Sequence, residues 1–264
     1  MGNMVTFERE GDVGVLMLND APLNLFGEEL MADLARAVDE ALASGCRAAV
    51  VCAAGPHFSG GANVAIFQGR SAQSAKEMFA AYLPVIHKME EAPFPFVAAV
   101  QGLCLAAGLE LALACDMIFA AQSARFSQVE ALIGATTFLG GAQRLANRCG
   151  DARAREVVYT ADIYDAATFE RWNIVNRIVP DEILFAETLA FARSLAEGPA
   201  RAHAVTKKML HRFCDAGLRA ADEVVLSDSV ALFETEDMQG GVARILEKGG
   251  AKRARYGKKQ FAGR

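Results

Sequence analysis

The sequence predicts an α/β fold followed by a helical C-terminal region, and three observations carry that prediction. Up to Gly140, short runs rich in Val, Ile and Phe alternate with longer stretches of helical spacing. After Gly140 almost every stretch is helical in pattern, interrupted by the short apolar NRIVP. The chain has 264 residues and is 53% hydrophobic, enough to bury the core of one large domain or of a domain with an appendage.

Taken in order, VTFER and VGVLML predict two strands around Gly11 and Asp12. Glu28 to Leu42 carries Leu30, Leu34, Ala37, Val38 and Ala41 at helical spacing. AAVVCA predicts a buried strand, and the loop AGPHFSGGAN follows, punctuated by Gly55, Pro56, Gly60 and Gly61. A helix over Ser74 to Met89, the strand FVAAV, a helix carrying Glu110 and the strand MIFAA complete the alternation. In such folds the sites lie in loops beyond the strand ends. In the helical remainder, Asp165 and Asp181 are candidate N-caps and Pro199 fits a first helical turn. No repeat of fixed period is present.

Composition excludes several function classes. A net charge of −5 argues against a nucleic-acid surface. The six cysteines, at 46, 52, 104, 115, 149 and 214, form no C-x-x-C pair and no metal-like cluster. They read as reduced thiols of a cytoplasmic protein without a metal site. MGNMVT matches a simple myristoylation pattern through Gly2 and Thr6, but VTFER directly after it reads as a strand. No charged segment leads into an apolar one, and the apolar stretch from Phe94 to Ala121 is interrupted by Gln101, Glu110 and Asp116. The expectation is a soluble cytoplasmic chain that neither carries a secretory signal nor spans a membrane.

The familiar nucleotide-binding glycine motifs are absent, as is G-x-S-x-G; Ser59 in HFSGG lacks the glycine two positions before it. His57, in the Gly-rich loop, is either an acid or base or a solvated loop residue; His87, His203 and His211 fall on helical stretches and are expected on surfaces. Glu110 stands out in LAAGLELALACD. Its helical neighbours three and four positions away are Ala106, Ala107, Leu113 and Ala114. A carboxylate there loses hydration, so it is either a functional acid, a partner to an unseen cation, or close to a helix end that reaches water. Glu130, in RFSQVEALIGA, also has apolar neighbours. Two such carboxyls facing each other suit general acid–base chemistry on a water molecule, although sequence spacing does not establish that they meet.

Three motifs in this order resemble the crotonase family, the enoyl-CoA hydratase/isomerase superfamily, over nearly the whole chain. They are the loop FSGGAN, the stretch AVQGLCLAAGLELALACD, and FSQVEALIG in the form F-x-x-x-E-x-x-x-G; GGAQRL and the late LFETED add to the likeness. The resemblance implies a spiral of repeated strand-strand-helix units over residues 1–195 and a helical region over 196–264 that joins subunits as a trimer or hexamer. It implies an acyl-CoA substrate, with coenzyme A as part of that substrate and no separate cofactor. Backbone N–H groups of Ala62 and Ala107 would hold the thioester oxygen, with Gly61, Asn63, Gly108 and Phe138 around the substrate. Glycines and a helix start suit that role, because they give close backbone approach and free N–H groups.

Two glutamates at these places resemble the hydratase branch. Glu110 would orient a water and accept its proton during attack on the β-carbon, and Glu130 would deliver a proton to the α-carbon. The chain departs from the family pattern at Ala107, where glycine is usual, at Asn63 for the common Asp, at Val129 for a frequent proline, and in TTFLGG, where Phe138 and Leu139 narrow the acyl pocket. Isomerase or decarboxylase chemistry on the same scaffold remains an alternative, as does a catalytically silent acyl-CoA-binding scaffold. In KRARYGKKQFAGR, residues Lys252, Arg253, Lys258 and Lys259 are either a solvated tail or contacts to the CoA nucleotide.

Overall fold

The computed structural model describes residues 3–247 and 261–263. Gly2 and the four basic candidates of the tail lie outside the described residues. The first two strands, β1 (Val5–Glu10) and β2 (Val13–Leu18), pair antiparallel across the two-residue turn Gly11–Asp12. Gly11 has φ 67°, a conformation that costs glycine nothing. From β2 onward the main sheet is parallel. Strands β3 (Ala48–Ala53) and β4 (Phe96–Val100) follow β2, and the order is completed by β6 (Met117–Ala121) and β9 (Arg177–Val179). Parallel strands covered on both faces read as continuous apolar runs, which is how AAVVCA and FVAAV read.

Helix α1 (Glu28–Ala43) buries Leu30, Leu34, Ala37, Val38 and Ala41, the face its spacing predicts, together with Met31. Helix α2 (Ala72–Glu91) is one turn longer than expected. After β4 the chain leaves the main sheet for a second one that the sequence pattern does not announce. Its strands β5 (Leu103–Leu105), β7 (Arg125–Ser127) and β8 (Tyr164–Asp165) are only two or three residues long, too short for alternation to register. The chain passes from β4 into this sheet at Gly102, where φ is 56° and an added Cβ would stand 2.1 Å from the Pro56 carbonyl oxygen. That crossing brings β5 beside the AGPHFSGGAN loop.

Helix α3 (Ala107–Ala114) follows β5 at once and is buried along its whole length. Its C-terminal carbonyls are satisfied by Arg148 Nη2, which donates to the carbonyls of Leu113 and Cys115. Arg148 belongs to α4 (Gly141–Cys149), and α5 (Asp151–Thr160) and α6 (Ala166–Arg171) come next. Asp165 caps α6, its carboxylate accepting from Thr168 N at 2.8 Å. Asp181 does not cap as expected. It opens a 3₁₀ turn, and its carboxylate accepts from Ser123 N instead, because that loop lies within reach at 3.2 Å.

Helix α7 (Leu184–Ala196) packs across β2, β3, β4 and β6. Pro199 sits immediately before α8 (Ala200–Val224), which is interrupted at Gly217 with φ 81°. A π-turn and a 3₁₀ turn then lead to α9 (Glu236–Glu247). Along this region Leu210, Phe213, Leu218, Leu226, Phe233 and Leu246 are exposed. Among the described residues no helix is long and apolar enough to cross a membrane.

Candidate active site

The FSGGAN loop is held by backbone bonds on both sides. Ser59 N donates to Leu103 O at 2.9 Å and Leu105 N donates to Ser59 O at 3.0 Å, which adds the loop to the edge of β5. On the other side Phe26 N donates to Gly61 O at 2.9 Å and Asn63 N donates to Phe26 O at 2.8 Å. Ala62 N lies between these bonds with no protein acceptor among the described residues. The buried Asn24, which sequence reading does not single out, braces the loop from below. Its Nδ2 donates to the carbonyls of His57 at 2.9 Å and Ala54 at 3.1 Å. His57 has a structural partner, Leu103 N donating to its Nδ1 at 3.2 Å.

Ala107 opens α3, where the first turn leaves N–H groups without intrahelical acceptors. Ala106 N is taken by Ser127 O at 3.0 Å and the helical ladder begins with Glu110 N on Ala106 O at 2.9 Å. Ala107 N has no protein acceptor among the described residues, so it and Ala62 N are both available. Small residues bring the two segments together. A Cβ on Gly61 would stand 3.0 Å from Ala106 Cβ, and one on Gly108 would stand 2.5 Å from Ser59 Cβ.

The unusual backbone falls one residue before Ala107. Ala106 has φ 45° and ψ −120°, a conformation that glycine favours and a methyl group strains. Ala106→Gly relieves strain of about 1–3 kcal/mol, against about 0.4–1 kcal/mol of added unfolded-chain entropy and about 0.8 kcal/mol for one lost methyl. Equilibrium denaturation of this variant should therefore show a loss of no more than about 1 kcal/mol, with a gain of up to about 2 kcal/mol at the upper end of the strain; a larger loss would show that the strain is absent.

Ala62, Ala106, Ala107, Glu110 and Glu130 line one cleft of about 720 Å³, its open mouth included. Phe26, Met31, Phe67, Phe79, Phe138 and Leu139 give it apolar walls. Phe138 is the expected substrate neighbour that lines this space. Gly61 and Gly108 serve the close packing of the two segments, and Asn63 caps the following 3₁₀ turn, its Oδ1 accepting from Ala65 N at 3.2 Å. Of the helical histidines, His87 is exposed and His211 faces Asp215 at 3.2 Å. His203 is half-buried rather than on the surface, because its ring packs over the glycine turn at Gly198.

Glu110 is 2% exposed, yet among the described residues no cation pairs with it directly. Its Oε1 accepts two backbone N–H groups, from Leu139 and Gly141, each at 2.8 Å. Burial pushes its pKa up, and these N–H groups and the Arg144 charge oppose the rise. Arg144 reaches the carboxylate through its charge alone, and its hydrogen bonds go to the loop and to Glu90. Its Nη1 donates to Leu139 O at 2.8 Å while Nε donates to Glu90 at 2.7 Å, which anchors the turn that binds Glu110.

Glu130 is also buried, at the start of a 3₁₀ turn after β7. Its pKa is pushed up to about 7, chiefly by burial and also by the Glu110 charge, against the lowering effect of its own backbone N–H. Gln128, buried between the two segments, is satisfied when its amide nitrogen faces Glu130, donating to the two carboxylate oxygens at 2.8 and 3.0 Å. Two carboxyls held in unlike environments are the arrangement that separates an acid from a base. Gln128 and Arg144 escaped sequence reading, because each stands among other polar residues, in RFSQVE and GGAQRLANR, and nothing local marks it.

The raised Glu130 pKa has a thermodynamic consequence. A carboxyl whose folded pKa, about 7, lies above the ordinary 4.5 stabilises the fold fully below about 4.5. That contribution disappears as pH rises through about 7. Relative to Glu130→Gln, the wild-type chain should lose about 1–2 kcal/mol of stability between pH 4.5 and 8, a figure reduced from the full shift for partial solvent access. Parallel stability curves for the two proteins across this range would contradict the shifted pKa.

The enoyl-CoA hydratase/isomerase family model matches residues 8–254. The chain belongs to the enoyl-CoA hydratase/isomerase family. It is accordingly an enzyme of that family, with the family's α/β fold and helical C-terminal region. A probable enoyl-CoA hydratase of Rhizobium meliloti is 32% identical over 243 residues, 91% of this chain and 94% of that protein. A crotonyl-CoA hydratase of Syntrophomonas wolfei is 32% identical over 191 residues, 72% of this chain and 74% of that one. Among solved structures, an enoyl-CoA hydratase subunit I of Geobacillus kaustophilus superposes with a TM-score of 0.89 at 30% identity, covering 99% of this chain and 98% of its own.

Proposed function

We propose that this family member adds water to a 2-enoyl-CoA to give a 3-hydroxyacyl-CoA, or runs the reverse dehydration. The observation that carries the reading is a single apolar cleft lined by two buried carboxyls and by two backbone N–H groups without acceptors. In this reading the thioester oxygen sits on Ala62 N and Ala107 N, which meet the negative charge that grows there as an enolate forms. Glu110, its Oε1 occupied by Leu139 N and Gly141 N, keeps Oε2 for the water and takes its proton as oxygen attacks the β-carbon. Glu130, with a pKa near 7, carries the proton that passes to the α-carbon. The apolar walls exclude bulk water and strengthen both interactions.

Product analysis tests this against a panel of 2-enoyl, 3-enoyl and carboxyacyl thioesters. A gain of one water in the 2-enoyl thioester is expected. A shifted double bond or loss of carbon dioxide would replace the hydratase reading by the isomerase or decarboxylase one. Binding of acyl-CoA with no turnover of any member would leave a silent scaffold.

The assembly proposed is a trimer or a dimer of trimers. Exposed Leu210, Phe213, Leu218, Leu226 and Phe233 give the C-terminal helices more apolar surface than a solvated layer needs. Light scattering at micromolar concentration should return three or six times the chain mass; a monomer would contradict it.

A further inference from the structure

The acyl cleft has a second space behind its wall. Met31 of α1 and Tyr82 of α2 line the cleft on one side and a groove between these two helices on the other. Ala32, Ala35, Met78 and Ala81 line that groove, and the Glu28–Arg70 ion pair lies at it. An aromatic wall leads from the reacting centre to this boundary. Phe138 directly precedes Leu139, whose N–H holds Glu110. Its ring stacks on Phe79 at 4.6 Å and 19°, and Phe79 meets Tyr82 edge-on at 6.3 Å and 87°. Phe67 closes a third side, 6.5 Å from Phe79 and 6.2 Å from Phe138. An acyl chain leaving Glu110 and Glu130 along this cleft therefore runs against rings.

We propose that Tyr82 and Met31 form a partition that ends the acyl site, so that the enzyme takes short straight-chain 2-enoyl thioesters and the α1–α2 groove is a latent extension of the same channel. The substrate class rests on the hydratase reading; the partition does not. Met31 is 2% exposed and Tyr82 packs edge-on against Phe79, so a longer chain has to displace packed side chains to pass. The Tyr82 hydroxyl is buried without a hydrogen-bond partner among the described residues. No hydrogen bond from the described residues ties that tip in place, so an apolar replacement forfeits none of them.

The test compares kcat/KM for crotonyl-, 2-hexenoyl-, 2-decenoyl- and cinnamoyl-CoA. Wild type should lose at least about tenfold from crotonyl- to 2-decenoyl-CoA, as expected when added methylenes find no pocket. Tyr82→Ala should raise the decenoyl-to-crotonyl ratio by about tenfold or more. Adding Ala32→Trp, which fills the groove from its exposed side, should return the ratio toward wild type. Met31→Ala and Tyr82→Leu give the same reading should Tyr82→Ala not fold. Calorimetric binding of butyryl- and decanoyl-CoA should follow the same ratios without turnover. A protein that shows these binding ratios but hydrates nothing keeps the partition and loses the hydratase reading. A wild-type profile flat or rising with length, a preference for cinnamoyl-CoA, or unmoved ratios in all the partition variants would overturn the proposal.

Discussion

Glu110→Gln and Glu130→Gln should each lower hydration of a 2-enoyl-CoA by about 10²–10⁴-fold, the usual worth of a positioned proton-transfer group. Glutamine keeps the size of the side chain, and at position 110 its carbonyl oxygen can still accept from Leu139 N and Gly141 N, where Glu110 now accepts at 2.8 Å. The fold therefore has little reason to change, and the loss reads proton transfer. The two substitutions should be strongly non-additive, since both groups act on one water and the second loss finds little rate left to remove. Each variant should still bind acyl-CoA, because the proposed hold on the thioester is the backbone. A Glu110→Gln protein that hydrates at the wild-type rate would end the two-carboxylate mechanism. Loss of activity on Glu130→Gln alone, with a shifted double bond as the wild-type product, would put the isomerase in its place.

Ala107→Pro should reduce turnover by about 10²–10³-fold, the typical effect of deleting one oxyanion donor. Proline removes the N–H and nothing else from the hydrogen-bond inventory, since Ala107 N serves no acceptor among the described residues. The first turn of a helix is also where proline is best tolerated. Ala107→Gly is the control, keeping the donor and removing only the methyl group, and should retain activity. Circular dichroism and a melting curve must show the proline variant folded before the rates are compared. Full turnover in a folded Ala107→Pro protein would remove Ala107 from the donor pair.

Local pattern settled much of the molecule. The apolar spacing of α1, the continuous runs of β3 and β4, and the Gly11 turn are all properties of neighbouring residues, so the sequence reading places them within a residue or two. The glutamate in LAAGLELALACD was visible for the same reason: a charge inside an apolar helix is a local contradiction. Its resolution was not local. Sequence reading left an unseen cation open as the partner of Glu110. The tertiary structure instead brings two backbone N–H groups from twenty-nine and thirty-one residues away, with Arg144 holding their turn by its carbonyl.

Chain order and residue type thus determined the longer elements and the α/β class and drew attention to the two carboxylates, because periodicity and desolvation act over a few residues. Only the tertiary structure decided what each group does to the next. The small β5-β7-β8 sheet has strands too short to leave a pattern, yet it sets the FSGGAN loop beside α3. The strained residue is Ala106, since the chain must turn there between β5 and α3. Glu130 rises to a pKa of about 7 through burial and the facing Glu110, neither of which any stretch of sequence contains. Desolvation and charge coupling depend on what surrounds a group in space, and that is fixed when loops far apart in the chain close over one cleft.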